Sequence, residues 1–136
     1  MILVDAGPLV AVVDASDQHH RQCVATLRTV REPLATVWPA IADAMYLLLD
    51  LPKGQAAVWE MLERRVVRLT PLGDDDIPRI RELMSKYADR LMDLTDAALV
   101  RVAEREGLET VFTVDEADFG VYRLHGRQRF RLLPRH

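Results

Sequence analysis

The chain is poor in the residues that serve several common chemistries. It has one cysteine, Cys23, in 136 residues. A single thiol excludes an internal disulfide and suits a reducing cytoplasm. Cys23 falls on an expected helix and reads as a small core residue rather than a reactive thiol. There are two lysines, Lys53 and Lys86, and neither follows an expected strand. A phospho-receiver needs a lysine after a late strand and paired acids after the first, so that class is excluded. A haloacid-type phosphatase is excluded too, because Asp5-Ala6-Gly7 stands where Asp-x-Asp would be needed. No serine–histidine pairing, phosphate-cradling glycine loop or zinc signature is present. No apolar run approaches the roughly 20 residues of a membrane-spanning helix. The longest, residues 37–49, is interrupted by Asp43. The start Met1-Ile2-Leu3-Val4-Asp5 shows no basic leader or small-residue cleavage site, so export is not expected.

What is present describes a globular protein. Hydrophobic residues make up 49% and charged residues 29%, a balance that supports a core and excludes disorder. Repeats, low-complexity tracts and linker-like stretches are missing, and residues 1–136 read as one domain. The net charge of −3 is not that of a strong nucleic-acid binder. Its distribution is uneven: residues 123–136 hold Arg123, Arg127, Arg129, Arg131, Arg135, His125 and His136, and no acid. Such a stretch suits a polyanion; a solvated terminal strand accounts for it equally well.

Short apolar runs alternate with helical patterns. Ile2-Leu3-Val4 reads as a strand buried on both faces. Gly7-Pro8 breaks it, and Pro8 in a first helical position starts a short helix to Val13. Asp17 is placed to cap a second helix carrying His20, Cys23, Val24 and Leu27. Residues 34–37 form a second strand and 38–49 a helix, stopped by Leu51-Pro52-Lys53-Gly54. Residues 55–65 are helical and 66–69 a third strand. Asp74-Asp75-Asp76 opens a helix with Ile77, Ile80, Leu83, Met84 and Tyr87 at helical spacing. Asp93 caps a helix to Glu106 that Gly107 closes. Residues 110–114 form a fourth strand, and 129–133 a short fifth. The alternation predicts an α/β fold: a mainly parallel sheet of four or five strands flanked by helices.

In such folds ligands bind beyond the carboxyl ends of the strands, and acids stand there. Asp5 follows the first strand and Asp115 follows residues 110–114. Asp43 is the only charge in the thirteen residues 37–49. Aspartate suits helix interiors poorly, and in apolar surroundings it needs a basic partner, a proton or a cation. Asp93 and Asp96 open a helix; the cap role suits Asp93 best, and the ligand role suits Asp96 best. The neighbouring Asp74, Asp75 and Asp76 point in different directions and read as a helix start. His19-His20 has no third ligand at metal spacing, and one of the two is expected to pack on the first helix. Carboxylates that converge repel one another and raise one another's pKa. A divalent cation relieves this, and all-oxygen ligation favours Mg²⁺ or Mn²⁺ over zinc. A metal so held activates water for phosphodiester hydrolysis.

Four stretches, in order over residues 4–123, resemble the motifs of the PIN-domain family, specifically its VapC-type toxins: VDAGPLVAVVDASDQHH, WPAIADAMYLL, MDLTDAALVRVAE, and TVDEADF followed by VYR. The resemblance implies a PIN-like three-layer fold and an Mg²⁺- or Mn²⁺-dependent endoribonuclease, the toxin of a type II toxin–antitoxin pair. Carried over by position, Asp5, Asp43, Asp96 and Asp115 form its acidic site, with Asp93 as an extra metal-binding acid. The family's second motif normally carries glutamate. Asp43 is one methylene shorter, which implies a metal contact through water. Asp118 is expected to support structure, by capping. The implied partners are a small antitoxin lying across the cleft, an RNA substrate and a second copy of the chain. DNA would be reached only through the antitoxin. Arg90, Arg123 and Arg127 are the candidates to hold RNA phosphates, which position a strand without reading its sequence. The competing reading is a PIN-fold binding module that has lost cleavage, the Asp43 change being a first step.

Overall fold

The computed structural model describes residues 1–135. The strands are β1 (Ile2–Val4), β2 (Leu34–Thr36), β3 (Val67–Leu69), β4 (Thr110–Phe112), β5 (Arg123–Leu124), β6 (Gln128–Arg129) and β7 (Arg131–Leu133). The helices are α1 (Ala6–Val13), α2 (His20–Thr29), α3 (Trp38–Leu47), α4 (Pro52–Glu63), α5 (Ile77–Lys86), α6 (Leu94–Glu106) and the single turn α7 (Glu116–Phe119). Five strands form a parallel sheet in the order β3-β2-β1-β4-β7. β5 and β6 form a separate antiparallel hairpin, which the basic composition of that segment did not announce.

β1 is central and entirely buried, as a strand covered on both faces must be. Val4, Leu34, Val67 and Phe112 face one side, against Leu9 and Val12 of α1, Leu27 of α2 and Met61 of α4. Leu3, Ala35 and Val111 alternate to the other side, and all three are buried. α6 is largely buried, with Ala97, Ala98, Leu99, Val100, Val102 and Ala103 inaccessible. It packs against α5 and α3.

Several expected boundaries move. α1 starts at Ala6, two residues before Pro8, because Asp5 caps it. Proline is tolerated throughout a first turn, where no N–H is needed. α4 starts at Pro52, three residues before the expected Gln55, for the same reason. Asp17 does not cap α2; its carboxylate accepts the His19 N–H at 2.8 Å, one turn before the helix. The segment 74–76 is a 3-10 turn leading into α5. His20, the first residue of α2, packs against α1, its Nδ1 2.6 Å from the Ala11 carbonyl oxygen. Cys23 is inaccessible, and burial pushes its thiol up to about 11. Arg129, Arg131 and Arg135 are exposed; His136 lies outside the described residues.

Candidate functional site

The sheet's carboxyl edge opens into a cleft, and six aspartates from four parts of the chain line it: Asp5, Asp43, Asp93, Asp96, Asp115 and Asp118. Three of them are helix caps. Asp5 follows β1 directly; its Oδ1 accepts the Ala6 N–H at 2.8 Å and starts α1. Asp93 accepts the Asp96 N–H at 2.8 Å and starts α6. Asp115 accepts the Asp118 N–H at 3.1 Å and starts α7. A cap fixes a carboxylate at the positive end of a helix, so local folding aims these acids.

Hydroxyl groups hold three of the acids. The buried Thr113 donates to Asp5 Oδ2 at 3.0 Å, and its own oxygen accepts the Asp115 N–H. Thr95, buried next to Asp96, donates to Asp43 Oδ2 at 2.6 Å. The buried Tyr122 donates to Asp96 Oδ2 at 2.8 Å. Gly7 closes the floor: a Cβ there would run into the Val114 side chain, so glycine lets α1 sit close under the loop that carries Asp115.

The electrostatics are those of buried carboxylates, with neighbouring like charges adding to the burial. Burial foremost pushes Asp5 up to about 6, with the charges of Asp93 and Asp115 adding to it against two hydrogen bonds. Burial and the Asp5 charge push Asp96 up to about 8, against the Tyr122 hydrogen bond. Asp115 is also raised, by burial first and then by Asp118. Burial and the neighbouring Asp96 raise the Tyr122 phenol, which therefore keeps its proton and stays a donor. Despite this coupling, no three acid, histidine or cysteine side chains among the described residues stand at the spacing that encloses a metal ion.

Asp43 corrects the sequence reading. It is exposed, and no arginine pairs with it among the described residues. Its helix is two-sided: Ala40, Ile41 and Ala44 are buried, while Tyr46 and Leu47 are 73% and 62% exposed. The apolar run 37–49 is therefore not all core, and the desolvation argument for Asp43 does not apply. Tyr46, Leu47 and Leu91 form an apolar rim beside the acids, which the sequence reading missed; Tyr46 lies one helical turn from Asp43, and that spacing would have revealed it.

The three arginines differ. Arg90 stands at the rim, its guanidinium 3.0 Å from Asp118 Oδ1. Asp118 is thus both a cleft acid and the anchor of Arg90. The Arg123 guanidinium donates to the carbonyls of Gly120, Val121 and Tyr122 and closes that loop. Arg127 is exposed in the turn of the β5–β6 hairpin. The Asp74–Asp76 segment is away from the cleft, and Asp76 is spent on Arg101 and Arg105. A larger hollow, about 610 Å³ against about 390 Å³ for the cleft, lies between α2 and Leu133-Pro134-Arg135. Among the described residues it gathers no acid beyond Glu32, so the smaller one is the candidate site.

Parallel strands with an aspartate cluster beyond their carboxyl ends define an acid-site α/β protein. The model of the PIN domain matches residues 2–123, and the chain belongs to that family. It is similar to Ribonuclease VapC26 of Mycobacterium tuberculosis, 25% identical over 135 residues that span 98% of this chain and all of that one. Among solved structures, VapC20 of Mycobacterium tuberculosis, a sarcin–ricin-loop-cleaving toxin, superposes with a TM-score of 0.78 at 18% identity, over 85% of this chain and 91% of its own. FitAcB from Neisseria gonorrhoeae gives 0.67 at 18% identity, over 96% and 97%. A toxin–antitoxin complex from Klebsiella pneumoniae gives 0.68 at 18% identity, over 89% and 92%. At such identities the structural likeness is one of fold. No helix among the described residues is long and apolar enough to cross a membrane.

Proposed function

We propose that the chain is a metal-dependent endoribonuclease and the toxin of a type II toxin–antitoxin pair, acting in the cytoplasm. One observation carries the reading: aspartates far apart in sequence line one cleft, where burial first and neighbouring carboxylates second make Asp5, Asp96 and Asp115 hold their protons more tightly. The full-length similarity to a protein named a ribonuclease supports it, as do folds shared with toxins and toxin–antitoxin complexes.

The donor set fits Mg²⁺ or Mn²⁺, being made of carboxylate oxygens alone. Asp5, Asp96 and Asp115 would hold the ion, Asp43 through a water, with Asp93 further out. Magnesium keeps several waters and takes one or two carboxylates directly, so three enclosing acids are not required. When bound, the ion supplies an acidified water and a counter-charge for the phosphate. The chain's own residues do the rest. Thr113, Thr95 and Tyr122 fix Asp5, Asp43 and Asp96. Val114 and Gly7 set the floor, and Arg90 at the rim meets the phosphate backbone. Arg127 is exposed and free to join it, whereas Arg123 is spent on carbonyls, so its part is to hold the loop. The apolar rim of Tyr46, Leu47 and Leu91 offers an antitoxin a surface beside the acids, and a second copy completes a homodimer. DNA contact would come through the antitoxin.

The test is cleavage of a fluorogenic RNA by antitoxin-free protein. Activity should require Mn²⁺ or Mg²⁺ and vanish in Asp5→Asn and Asp96→Asn with the fold intact. The second reading, an inactive binding module, draws on the short Asp43 and on the acids' open spacing. It gains if Mn²⁺ elicits no cleavage and Asp5→Asn changes nothing.

A further inference from the structure

The threonines that hold Asp5 and Asp43 flank other cleft acids in sequence. Tyr122 does not: it lies 26 residues from Asp96 and is brought there by the aromatic packing behind the cleft. Its side chain is inaccessible to solvent. A buried phenol needs a partner for its O–H, and this one has Asp96 Oδ2 at 2.8 Å. Tyr87 and Phe119 grip the ring edge-on, with centroids 4.9 Å and 5.1 Å away. Phe119 meets Phe130 in turn at 5.8 Å. The backbone on either side is tied as well. The Tyr122 N–H donates to the Asp118 carbonyl at 3.1 Å, and the Arg123 N–H donates to the Tyr87 phenol oxygen at 3.1 Å.

The ring therefore delivers one O–H to one fixed point. Asp96 has two rotatable side-chain bonds and stands in a cleft of like charges that push it outward. A donor on Oδ2 selects one orientation and leaves Oδ1 to the cleft. We propose that Tyr122 is a positioning residue for Asp96, its phenol O–H setting in advance the carboxylate orientation that meets the divalent cation. This rests on the metal-dependent reading above. The Tyr122→Phe substitution separates the O–H from the packing, because it keeps the ring and both edge contacts.

Wild-type protein and Tyr122→Phe are compared in Mn²⁺ affinity by calorimetry, in metal-free melting, and in kcat and KM on a fluorogenic RNA. Partners that orient metal ligands typically set affinity by 10- to 100-fold. The expected result is Mn²⁺ binding weakened by about 10-fold or more, a lower kcat at fixed Mn²⁺, an unchanged KM for RNA, and little change in metal-free melting. Unchanged Mn²⁺ affinity and kcat, with wild-type protein active, overturns this inference alone. A lowered metal-free melting temperature with unchanged Mn²⁺ affinity also overturns it, since the phenol would then serve packing only. Wild-type protein that neither binds Mn²⁺ nor cleaves RNA overturns the proposed function, and this inference with it.

Discussion

The chain treats its aspartates in two opposite ways. On the α5–α6 face, Asp76 is neutralised from within: Arg101 stands 2.8 Å from Oδ1, Arg105 2.9 Å from Oδ2, and the Gly73 N–H donates to it. The backbone donor first, then the arginines, hold its carboxyl down at about 2. Glu104, paired with Arg79 nearby, is lowered too. At the cleft burial first, and the neighbouring acids second, raise Asp5 and Asp96 to about 6 and about 8. Arg90, at that rim, pairs with Asp118. The same residue type is a finished structural group in one region and an electrostatic debt in the other. Under the proposed function, a cation from outside would relieve that debt.

The sharpest way to break this comparison is to remove charge from each region. Asp5→Asn and Asp96→Asn should abolish metal-dependent RNA cleavage while leaving the metal-free fold at least as stable, measured by cleavage rate and calorimetric melting. A large loss of stability instead would make these acids structural. Asp76→Asn should do the reverse. It leaves Arg101 and Arg105 side by side without their counter-charge, at a cost of about 3 kcal/mol and a melting temperature lower by roughly 10 °C. Mn²⁺ affinity, read by calorimetry, should not move.

The pH dependence of the metal-free protein should separate the two regions without mutation. Asp5 and Asp96 have folded-state pKa values above the ordinary value of 3.8. Their contribution to stability is therefore complete below about pH 4 and is lost as pH rises through about 6 and about 8. Asp76 is lowered, so its contribution is present above about pH 4 and lost as pH falls toward 2. Melting in EDTA should therefore fall between pH 5 and pH 9, and Mn²⁺ should flatten that fall. A flat EDTA profile would contradict the crowding. The smallest effect should come from Thr95→Val, which removes one hydroxyl from the exposed Asp43. About 1 kcal/mol of stability and a partial loss of cleavage should follow, less than for Asp96→Asn.

Much of the cleft was legible in the sequence, because the acids that follow strands or start helices declare their edge. Asp5 and Asp115 come one and three residues after β1 and β4, and Asp93 with Asp96 opens α6. Asp43 was legible as the lone charge of an apolar run, yet its surroundings were not. An unbroken apolar stretch does not say which of its residues are left outside, and Tyr46 and Leu47 are. The helix starts expected at Pro8 and Gln55 were misplaced, and lie at Ala6 and Pro52, because proline fits anywhere in a first turn. Tyr122 was hidden for a different reason. Its meeting with Asp96 depends on how Tyr87, Phe119 and Phe130 stack, and side-chain packing across 26 residues has no periodicity to read.

Mn²⁺ titration of the metal-free protein at neutral pH, followed by melting temperature, tests the account most directly. Binding to the folded state must stabilise it, so the midpoint should climb with Mn²⁺ in the wild-type chain and stay level in Asp96→Asn. A level response in the wild-type chain, or an equal climb in both, would contradict a cation site at these carboxylates.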